Sequence, residues 1–342
     1  MEPFRPSWFD AAYASLLAGR ELAPEPVTAA IRDFVAGRVP DTLGAALLTA
    51  WRVKGETAAE IAAAAVALRE QMVRLVPVSG PVLDTCGTGG DAAGTFNIST
   101  AAAIVCAAAG VPVVKHGNRA VSGKTGSADV LREFGVPIET GPDWAQQCLD
   151  RFGFAFCYAP QFHPGLAHVA ALRKALGVRT LFNLLGPLAN PAAADFHLLG
   201  VGSPALLDTL AEAVARLGTR RAVLVSGADG LDEVTLSGPT NVRIVEGDEF
   251  AVHTWTPADF GLDPCPADAV RVESARESAA VIRRVLDGED SPAARYVWVN
   301  AAAGLFAAGA ATRLTDGVAA ARDAVRSGKA AAMLDNLTNS RT

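Results

Sequence analysis

Residues 81–115 read PVLDTCGTGGDAAGTFNISTAAAIVCAAAGVPVVK. Val82–Asp84 predicts a short strand, and a helix is predicted over about 99–109, stopped by Gly110. Val111–Lys115 predicts a second strand. A strand, a glycine-rich loop, a helix and a second strand form the unit from which parallel α/β sheets are built.

The same alternation continues toward the C-terminus. Further strands are predicted at Phe154–Tyr158, His197–Gly200 and Ala222–Ser226, with helical stretches between them. The stretch 240–252 alternates in the manner of two short strands, and helices follow. Strands that alternate with helices predict an α/β fold whose mostly parallel central sheet is covered on both faces.

The chain before residue 77 predicts helices alone. Thr57 and Glu60 have the spacing of a capping box, which predicts a helix start ahead of an alanine-rich segment. We therefore expect a small helical domain over 1–76, joined by helices from about 164–188. The larger α/β catalytic domain is expected over 77–342.

Composition excludes several classes of protein. The 342 residues carry a net charge of −6, which argues against a general nucleic-acid binder because such proteins need excess Lys and Arg. Five cysteines without a CxxC motif predict reduced thiols and a cytoplasmic protein. The N-terminus does not resemble a signal peptide, and the longest uncharged apolar stretch, 101–114, is too short to span a bilayer.

The glycine loop Cys86–Thr95 lies between a predicted strand and a predicted helix, where α/β sheets bind ligands. Its exposed N–H groups and the helix N-terminus favour an anion. Gly87–Ala92 fits the relaxed dinucleotide-binding pattern, but the next strand ends in Lys115–His116 instead of the required acid. Gly123–Thr125 ends like a P-loop, but its first glycine position is Asn118. Each of these two motifs therefore lacks a required residue.

A second loop, 115–127, concentrates positive charge in an acidic protein. It contains two lysines, one arginine and one histidine, with no acid before Asp129. Its glycines allow it to wrap a ligand, and its hydroxyls add donors, so phosphate or pyrophosphate is the predicted ligand.

Three further features suggest binding chemistry. Asn97–Thr100 places more polar groups at a helix start than one cap requires, and the surplus suits phosphate oxygens or a metal. Asp232 and Glu233 are adjacent acids after a strand, which suits Mg²⁺ when substrate phosphates supply other ligands. Arg173 could bind a substrate carboxylate through its planar fork.

Taken together, these strings resemble the anthranilate phosphoribosyltransferase family, in order and over nearly the whole chain. The matching stretches are Lys54–Thr57, Gly87–Asp91, Asn97–Thr100, Lys115–Ser122, Gly126–Leu131, His163–Pro164, Leu176–Thr180, Phe182–Leu188, Asn190–Pro191 and Asp232–Glu233.

The resemblance implies transfer of the phosphoribosyl group of phosphoribosyl pyrophosphate to the amino group of anthranilate, with Mg²⁺, in tryptophan biosynthesis. Lys115, Asn118 and Arg173 are the implied catalytic residues. Anthranilate would contact Gly87, Asn118 and Arg173, and Ser99, Asp232 and Glu233 would bind the metal. Phosphoribosyl pyrophosphate would be bound by Gly87, Gly90, Asp91, Thr95, Asn97, Ile98, Ser99, Thr100, Lys115, His116, Gly117, Asn118, Arg119, Ala120, Val121, Ser122, Gly123 and Ser127.

The chain departs from the family pattern near the predicted acceptor site. Gly165 replaces the usual alanine, Ala167 a common basic residue, and Ala171–Leu172 a common Pro-Val pair. The resemblance also implies a homodimer formed through the N-terminal helices. Two alternatives stay open, a pyrimidine-nucleoside phosphorylase-like enzyme and a catalytically silent nucleic-acid-binding relative.

Overall fold

The computed structural model describes residues 5–76, 80–90, 93–120 and 125–340, and within these ranges seven strands form one sheet. The strands are β1 Leu83–Asp84, β2 Val113–Gly117, β3 Phe154–Tyr158, β4 Phe196–Gly200, β5 Arg221–Gly227, β6 Thr240–Glu246 and β7 Glu249–Trp255. Their order across the sheet is β3-β2-β1-β4-β5-β6-β7.

The first five strands of that order are parallel, and β6 and β7 are antiparallel additions at one edge. Leu83 of β1 pairs with Val113 on one side and with Phe196 on the other, so the shortest strand lies at the centre. The mostly parallel sheet predicted from the sequence is confirmed. Because parallel strands end at the same edge, the loops that follow β1, β2, β4 and β5 meet there.

Four helices precede the sheet: α1 Phe9–Leu17, α2 Pro24–Val35, α3 Asp41–Lys54 and α4 Ala58–Arg69. The predicted capping box is confirmed, because the Thr57 hydroxyl accepts from Glu60 N while the Glu60 carboxylate accepts from Thr57 N. Small alanine side chains on α4 allow α2 and a later helix, α11 (Leu207–Arg216), to pack closely against it.

The later helices are α5 Ile98–Ala108, α6 Ser127–Glu133, α7 Pro142–Phe152, α8 Ala159–Phe162, α9 Ala167–Leu176, α10 Phe182–Leu185, α11 Leu207–Arg216, α12 Ala275–Leu286, α13 Pro292–Ala307, α14 Leu314–Arg326 and α15 Lys329–Asn339.

Two apolar cores lie on the two faces of the sheet. Successive residues of a strand point to opposite faces, so Leu198 and Val223 pack with α5 and α13, while Leu199 and Leu224 pack with the N-terminal helices. Helices α9 and α10 pack on α2, α3 and α4, on the N-terminal side. In the described part of the chain, no helix is both long and apolar enough to cross a membrane.

Candidate active site

The glycine loop after β1 is anchored to the end of β4. Thr88 N donates to the carbonyl oxygen of Gly200 at 2.8 Å, and Gly202 N donates to the Thr88 hydroxyl at 3.1 Å. A Cβ atom on Gly87 would lie 2.9 Å from the Gly200 oxygen and 3.1 Å from Oδ2 of Asp232. Glycine is therefore required at position 87 by close approach to β4 and to the carboxylate.

The structure brings the two predicted acids to this loop from far along the chain. Asp232 Oδ2 accepts a hydrogen bond from Gly89 N at 3.0 Å, and Glu233 Oε1 accepts one from Ser99 N at 3.1 Å. One carboxylate thus lies on the glycine loop and the other at the start of α5. Two acids and Ser99, which were predicted to share a metal, are neighbours in space.

Lys115 is buried beneath the same loop, with 2% of its surface exposed. Its Nζ atom donates to the carbonyl oxygen of Thr85 at 3.1 Å, to the Thr85 hydroxyl at 3.0 Å and to the Ser99 hydroxyl at 3.2 Å. All three described partners are neutral oxygens. The ammonium therefore places a positive charge between the glycine loop and the N-terminus of α5.

Two polar side chains at the start of α5, those of Asn97 and Thr100, hydrogen-bond within the first turn of the helix. Asn97 is the N-cap, and its side-chain oxygen accepts from Thr100 N at 3.2 Å and also from the Thr100 hydroxyl. The helix begins at Ile98, one residue before the predicted start. The Ile98 side chain is buried in the core, and its N–H donates to Phe96 O at 2.8 Å. Thr95 forms an antiparallel bridge with Arg271.

Asp84, a buried acid for which the sequence predicts no role, connects β1 to β2. Asp84 Oδ1 accepts from Cys86 N at 3.0 Å and from His116 N at 3.2 Å. The carboxylate therefore fixes the first turn of the glycine loop and the end of β2 together. An acid that ends a buried strand directly before a glycine loop is the signal that could have indicated this position.

His116 forms a buried pair with His163, their ring centroids 5.0 Å apart. Nδ1 of His116 lies 2.8 Å from the carbonyl oxygen of Gly186, and Nε2 of His163 lies 3.0 Å from that of Ala189. Burial lowers the pKa of both imidazoles and the neighbouring His163 ring adds to the effect on His116, so that both pKa values lie at about 4. Both rings are therefore neutral at pH 7, which makes His116 an unsuitable source of positive charge for a phosphate.

Hydrogen bonds join the residues just after β2 to the start of α6, at the two ends of the second loop. Ala128 N donates to the Asn118 carbonyl oxygen at 3.2 Å, and the Ser127 hydroxyl donates to the same oxygen at 3.4 Å. Ala120 N donates to Asp129 Oδ2 at 2.9 Å. A Cβ atom on Gly117 would lie 2.3 Å from the Ser127 hydroxyl and 2.6 Å from the Phe156 ring, so a larger residue there would need both side chains to move.

The Arg119 side chain makes its described contacts with residues outside the loop. It is ion-paired with Glu139 on the surface, and its guanidinium lies 5.8 Å from the centroid of the Tyr158 ring. Its predicted contact with the donor stays a prediction. Four other predicted donor ligands lie outside the described residues: Asp91, Val121, Ser122 and Gly123.

Arg173 is on α9, and its guanidinium lies 5.8 Å from the centroid of the Phe182 ring. Burial lowers the pKa of this guanidinium below its ordinary value. No described contact joins Arg173 to Gly87 or Asn118, so the acceptor site stays a prediction. Gly165, one of the departures from the family pattern, packs on α2, because a Cβ atom there would lie 2.2 Å from Cγ1 of Val35.

Arg179, for which the sequence also predicts no role, contacts the glycine loop. Its guanidinium donates to the carbonyl oxygens of Thr88 and Gly89. The residue lies inside one of the stretches that carry the resemblance, Leu176–Thr180. No pattern of charge or spacing in the sequence distinguishes it from a surface arginine.

Comparison with known proteins defines the class first. Residues 79–331 match the a/b domain of the glycosyl transferase family, and residues 11–72 match its helical bundle domain. The chain, with its mostly parallel sheet and a helical bundle on one face, therefore belongs to the glycosyl transferase family.

Individual relatives show to which family within this class the chain belongs. The chain is 45% identical over 329 residues to anthranilate phosphoribosyltransferase of Chromobacterium violaceum, which covers 96% of both chains. The crystal structure of anthranilate phosphoribosyltransferase from Thermus thermophilus is 43% identical and superposes with a TM-score of 0.90, over 96% of this chain and 98% of that one. The chain belongs to the anthranilate phosphoribosyltransferase family.

A more distant member of the family is described with ligands. The Saccharomyces cerevisiae enzyme in complex with PRPP (phosphoribosyl pyrophosphate) and Mg is 28% identical, with a TM-score of 0.89 over 98% of each chain.

Proposed function

We propose that the chain transfers the phosphoribosyl group of phosphoribosyl pyrophosphate to the amino group of anthranilate, as a step of tryptophan biosynthesis. The observation that carries the proposal is the convergence of Lys115, the glycine loop and the Asp232–Glu233 pair at one edge of the sheet. This arrangement offers positive charge and backbone donors beside a pair of carboxylates. It suits a pyrophosphate that is bound together with a divalent metal.

In the reaction, the amine nitrogen forms a bond to C1 of the ribose while the bond from C1 to the pyrophosphate oxygen breaks. Pyrophosphate leaves with the electron pair, and the nitrogen loses one proton. The amine of anthranilate is neutral at ordinary pH, so its attack needs no strong base. The larger task is to stabilise negative charge on the leaving group, and the buried Lys115 ammonium and the loop N–H groups place positive charge beside it.

The donor set also fits Mg²⁺. Carboxylate and hydroxyl oxygens are the hard ligands that this ion takes, and Asp232, Glu233 and Ser99 supply them side by side. Across the described ranges, no group of three or more His, Cys, Asp or Glu is arranged to hold a metal on its own. Substrate phosphates and water would complete the coordination, and the bound ion would neutralise charge on the leaving pyrophosphate.

Arg173 is proposed to hold the anthranilate carboxylate through a bidentate pair, with Asn118 and Gly87 nearby. Support comes from its position on α9, on the helical side of the sheet edge, and from its partial burial. Burial strengthens an ion pair with a carboxylate because water screens it less.

One assay tests the proposed function. Protein, anthranilate, phosphoribosyl pyrophosphate and Mg²⁺ are mixed, and the loss of anthranilate fluorescence is followed. We expect loss that depends on both substrates and stops when EDTA removes the metal. A folded sample that leaves the fluorescence unchanged would refute the proposal.

We also propose a homodimer that forms through the N-terminal helices. Helices α1 and α3 line a groove of about 430 Å³ whose walls are mainly apolar, and at it Leu17 and Val53 are 65% and 82% exposed. A second copy would cover these side chains. Sedimentation should give twice the chain mass for the wild type, and the Leu17→Glu/Val53→Glu variant should sediment as a monomer.

Two smaller proposals complete this assignment. We place the boundary between the helical and catalytic domains at residues 76–77, and we assign the helices from 164–188 to the helical domain. The packing of α9 and α10 on α2, α3 and α4 supports that assignment.

We also propose a cytoplasmic location, which five free thiols support, four of them buried.

A further inference from the structure

Arg179 lies between α9 and α10, outside every set of residues to which the resemblance gives a role. Its guanidinium donates from Nη1 to the carbonyl oxygen of Gly89 at 2.8 Å and from Nη2 to that of Thr88 at 3.1 Å. The side chain thus spans two consecutive peptide groups of the glycine loop. A planar guanidinium can do so, whereas a lysine ammonium is a point charge without this fork.

These contacts fix the direction of the loop N–H groups. In a trans peptide, the carbonyl and the following N–H point in opposite directions. The Thr88 carbonyl faces Arg179, and the N–H of Gly89 accordingly points to the other side, where it donates to Asp232 Oδ2 at 3.0 Å. The Gly89 carbonyl also faces Arg179, so the N–H of Gly90 points away from the guanidinium as well.

The backbone of the loop is suited to this arrangement. Gly89 and Gly90 both have left-handed φ values, +62° and +82°, which other residues rarely adopt. A Cβ atom on Gly90 would lie 1.6 Å from Nη1 of Arg179, so the loop rests directly on the guanidinium. Successive N–H groups on one side of such a turn form a concavity that binds anions, and here that side already holds a carboxylate oxygen.

We infer that Arg179 is a positioning residue, which holds the two peptide groups after Thr88 and Gly89 so that the Gly89 N–H keeps the Asp232 carboxylate in place and the Gly90 N–H faces the pyrophosphate of the donor substrate. The inference deepens the proposed function and rests on it. Arg179 follows α9 by three residues, and α9 carries Arg173. The donor loop is therefore held in place by the same segment that is proposed to bind the acceptor.

The test compares Arg179→Ala and Arg179→Lys with Lys174→Ala, which removes an exposed positive charge from the same segment. Michaelis constants for both substrates are measured by the fluorescence assay. Binding of pyrophosphate with Mg²⁺, without anthranilate, is measured by calorimetry, and melting temperatures report folding. Calorimetry needs no turnover, so the role of Arg179 remains testable even if the wild type fails to consume anthranilate.

We expect Arg179→Ala to weaken pyrophosphate binding and raise the donor KM by about tenfold or more, with the anthranilate KM changed less than about threefold. Arg179→Lys should recover only part of the loss, because its ammonium cannot hold both carbonyls. Lys174→Ala should match the wild type. Wild-type pyrophosphate affinity in Arg179→Lys would overturn the inference, since charge alone would then suffice. Equal rises in both KM values with a lowered melting temperature would also overturn it. If Arg179→Ala does not fold, Arg179→Lys decides alone.

Discussion

The side-chain amide of Asn190 donates a 2.6 Å hydrogen bond to Oδ2 of Asp84, joining the segment that leads into β4 to the buried end of β1. The same amide donates to the Val114 carbonyl oxygen at 2.8 Å. Because the other oxygen of Asp84 holds Cys86 N and His116 N, one carboxylate ties three segments that border the site.

Replacement of Asp84 by alanine should therefore destabilise the protein and disturb the site. Three donors would lose this acceptor, two of them on the buried residues His116 and Asn190, and each loss of a buried partner costs roughly 1–3 kcal/mol. We expect the free energy of unfolding in urea to fall by about 3 kcal/mol or more. Asp248→Ala, at an exposed turn, is the control and should change it by less than about 0.5 kcal/mol. Similar values for the two variants would contradict this role for Asp84.

Glu60 should matter far more than an acid in a surface pair. Its buried carboxylate accepts from Lys54 Nζ at 2.7 Å, Trp51 Nε1 at 3.0 Å and Leu22 N at 2.8 Å. Glu60→Ala strands a buried ammonium and should cost about 3–5 kcal/mol of unfolding free energy. Glu70→Ala breaks only an exposed pair with Arg32 and should cost about 1 kcal/mol or less. Urea titrations of both variants give the comparison, and a small effect at Glu60 would be the unexpected result.

The histidine pair should make stability depend on acid pH. The pKa of His163 is about 4 in the folded protein, against an ordinary value of 6.5. Between these pH values the unfolded chain binds more protons at this residue than the folded protein does. The contribution of His163 to the free energy of unfolding is therefore complete above pH 6.5 and is lost as the pH falls toward 4. One such group contributes up to about 1.4 kcal/mol per pH unit.

His163→Gln should flatten this dependence, because glutamine can still donate to the Ala189 oxygen but does not ionise. His253→Gln, on the exposed strand β7, serves as the control and should keep the wild-type slope. Urea unfolding at several pH values from 4.5 to 7 measures the slopes. Identical slopes in all three proteins would show that His163 is not a source of the acid sensitivity.

Arg173→Ala should raise the KM for anthranilate far more than the KM for phosphoribosyl pyrophosphate. Loss of a bidentate pair with a carboxylate weakens binding of the acid alone, and a hydrogen bond to a charged group contributes about 1.5–3 kcal/mol, or roughly 10–150-fold. Lys174→Ala, one residue along the same helix, should leave both constants unchanged. Equal changes for the two substrates in Arg173→Ala would reject its assignment to the acceptor.

The fold was predictable because its signals are local. The apolar strand before the glycine loop, the capping box at Thr57 and the alternation over 240–252 each depend on a few neighbouring residues, and each is confirmed. Asp232 and Glu233 were indicated by their position after a strand, but only the sheet order brings them to Gly89 and Ser99.

Other features of the site were beyond local patterns. Asp84 and Arg179 act through contacts with backbone groups of other segments, and such contacts leave no periodicity in the sequence. The charge of His116 was also unpredictable, because it depends on burial against His163. The sequence predicts positive charge in the second loop, but the Arg119 guanidinium is ion-paired with Glu139.

The hydrogen bond from Gly89 to Asp232 spans 143 residues, and this span sets when the site can exist during synthesis. Ribosomes add about 5–20 residues per second, so the glycine loop emerges roughly 7–30 s before the carboxylate that holds it. Until β4 has also been translated, β1 lacks its neighbour on that side of the sheet. A nascent chain arrested before Phe196 therefore exposes the unpaired backbone groups of β1 on the side that β4 later covers.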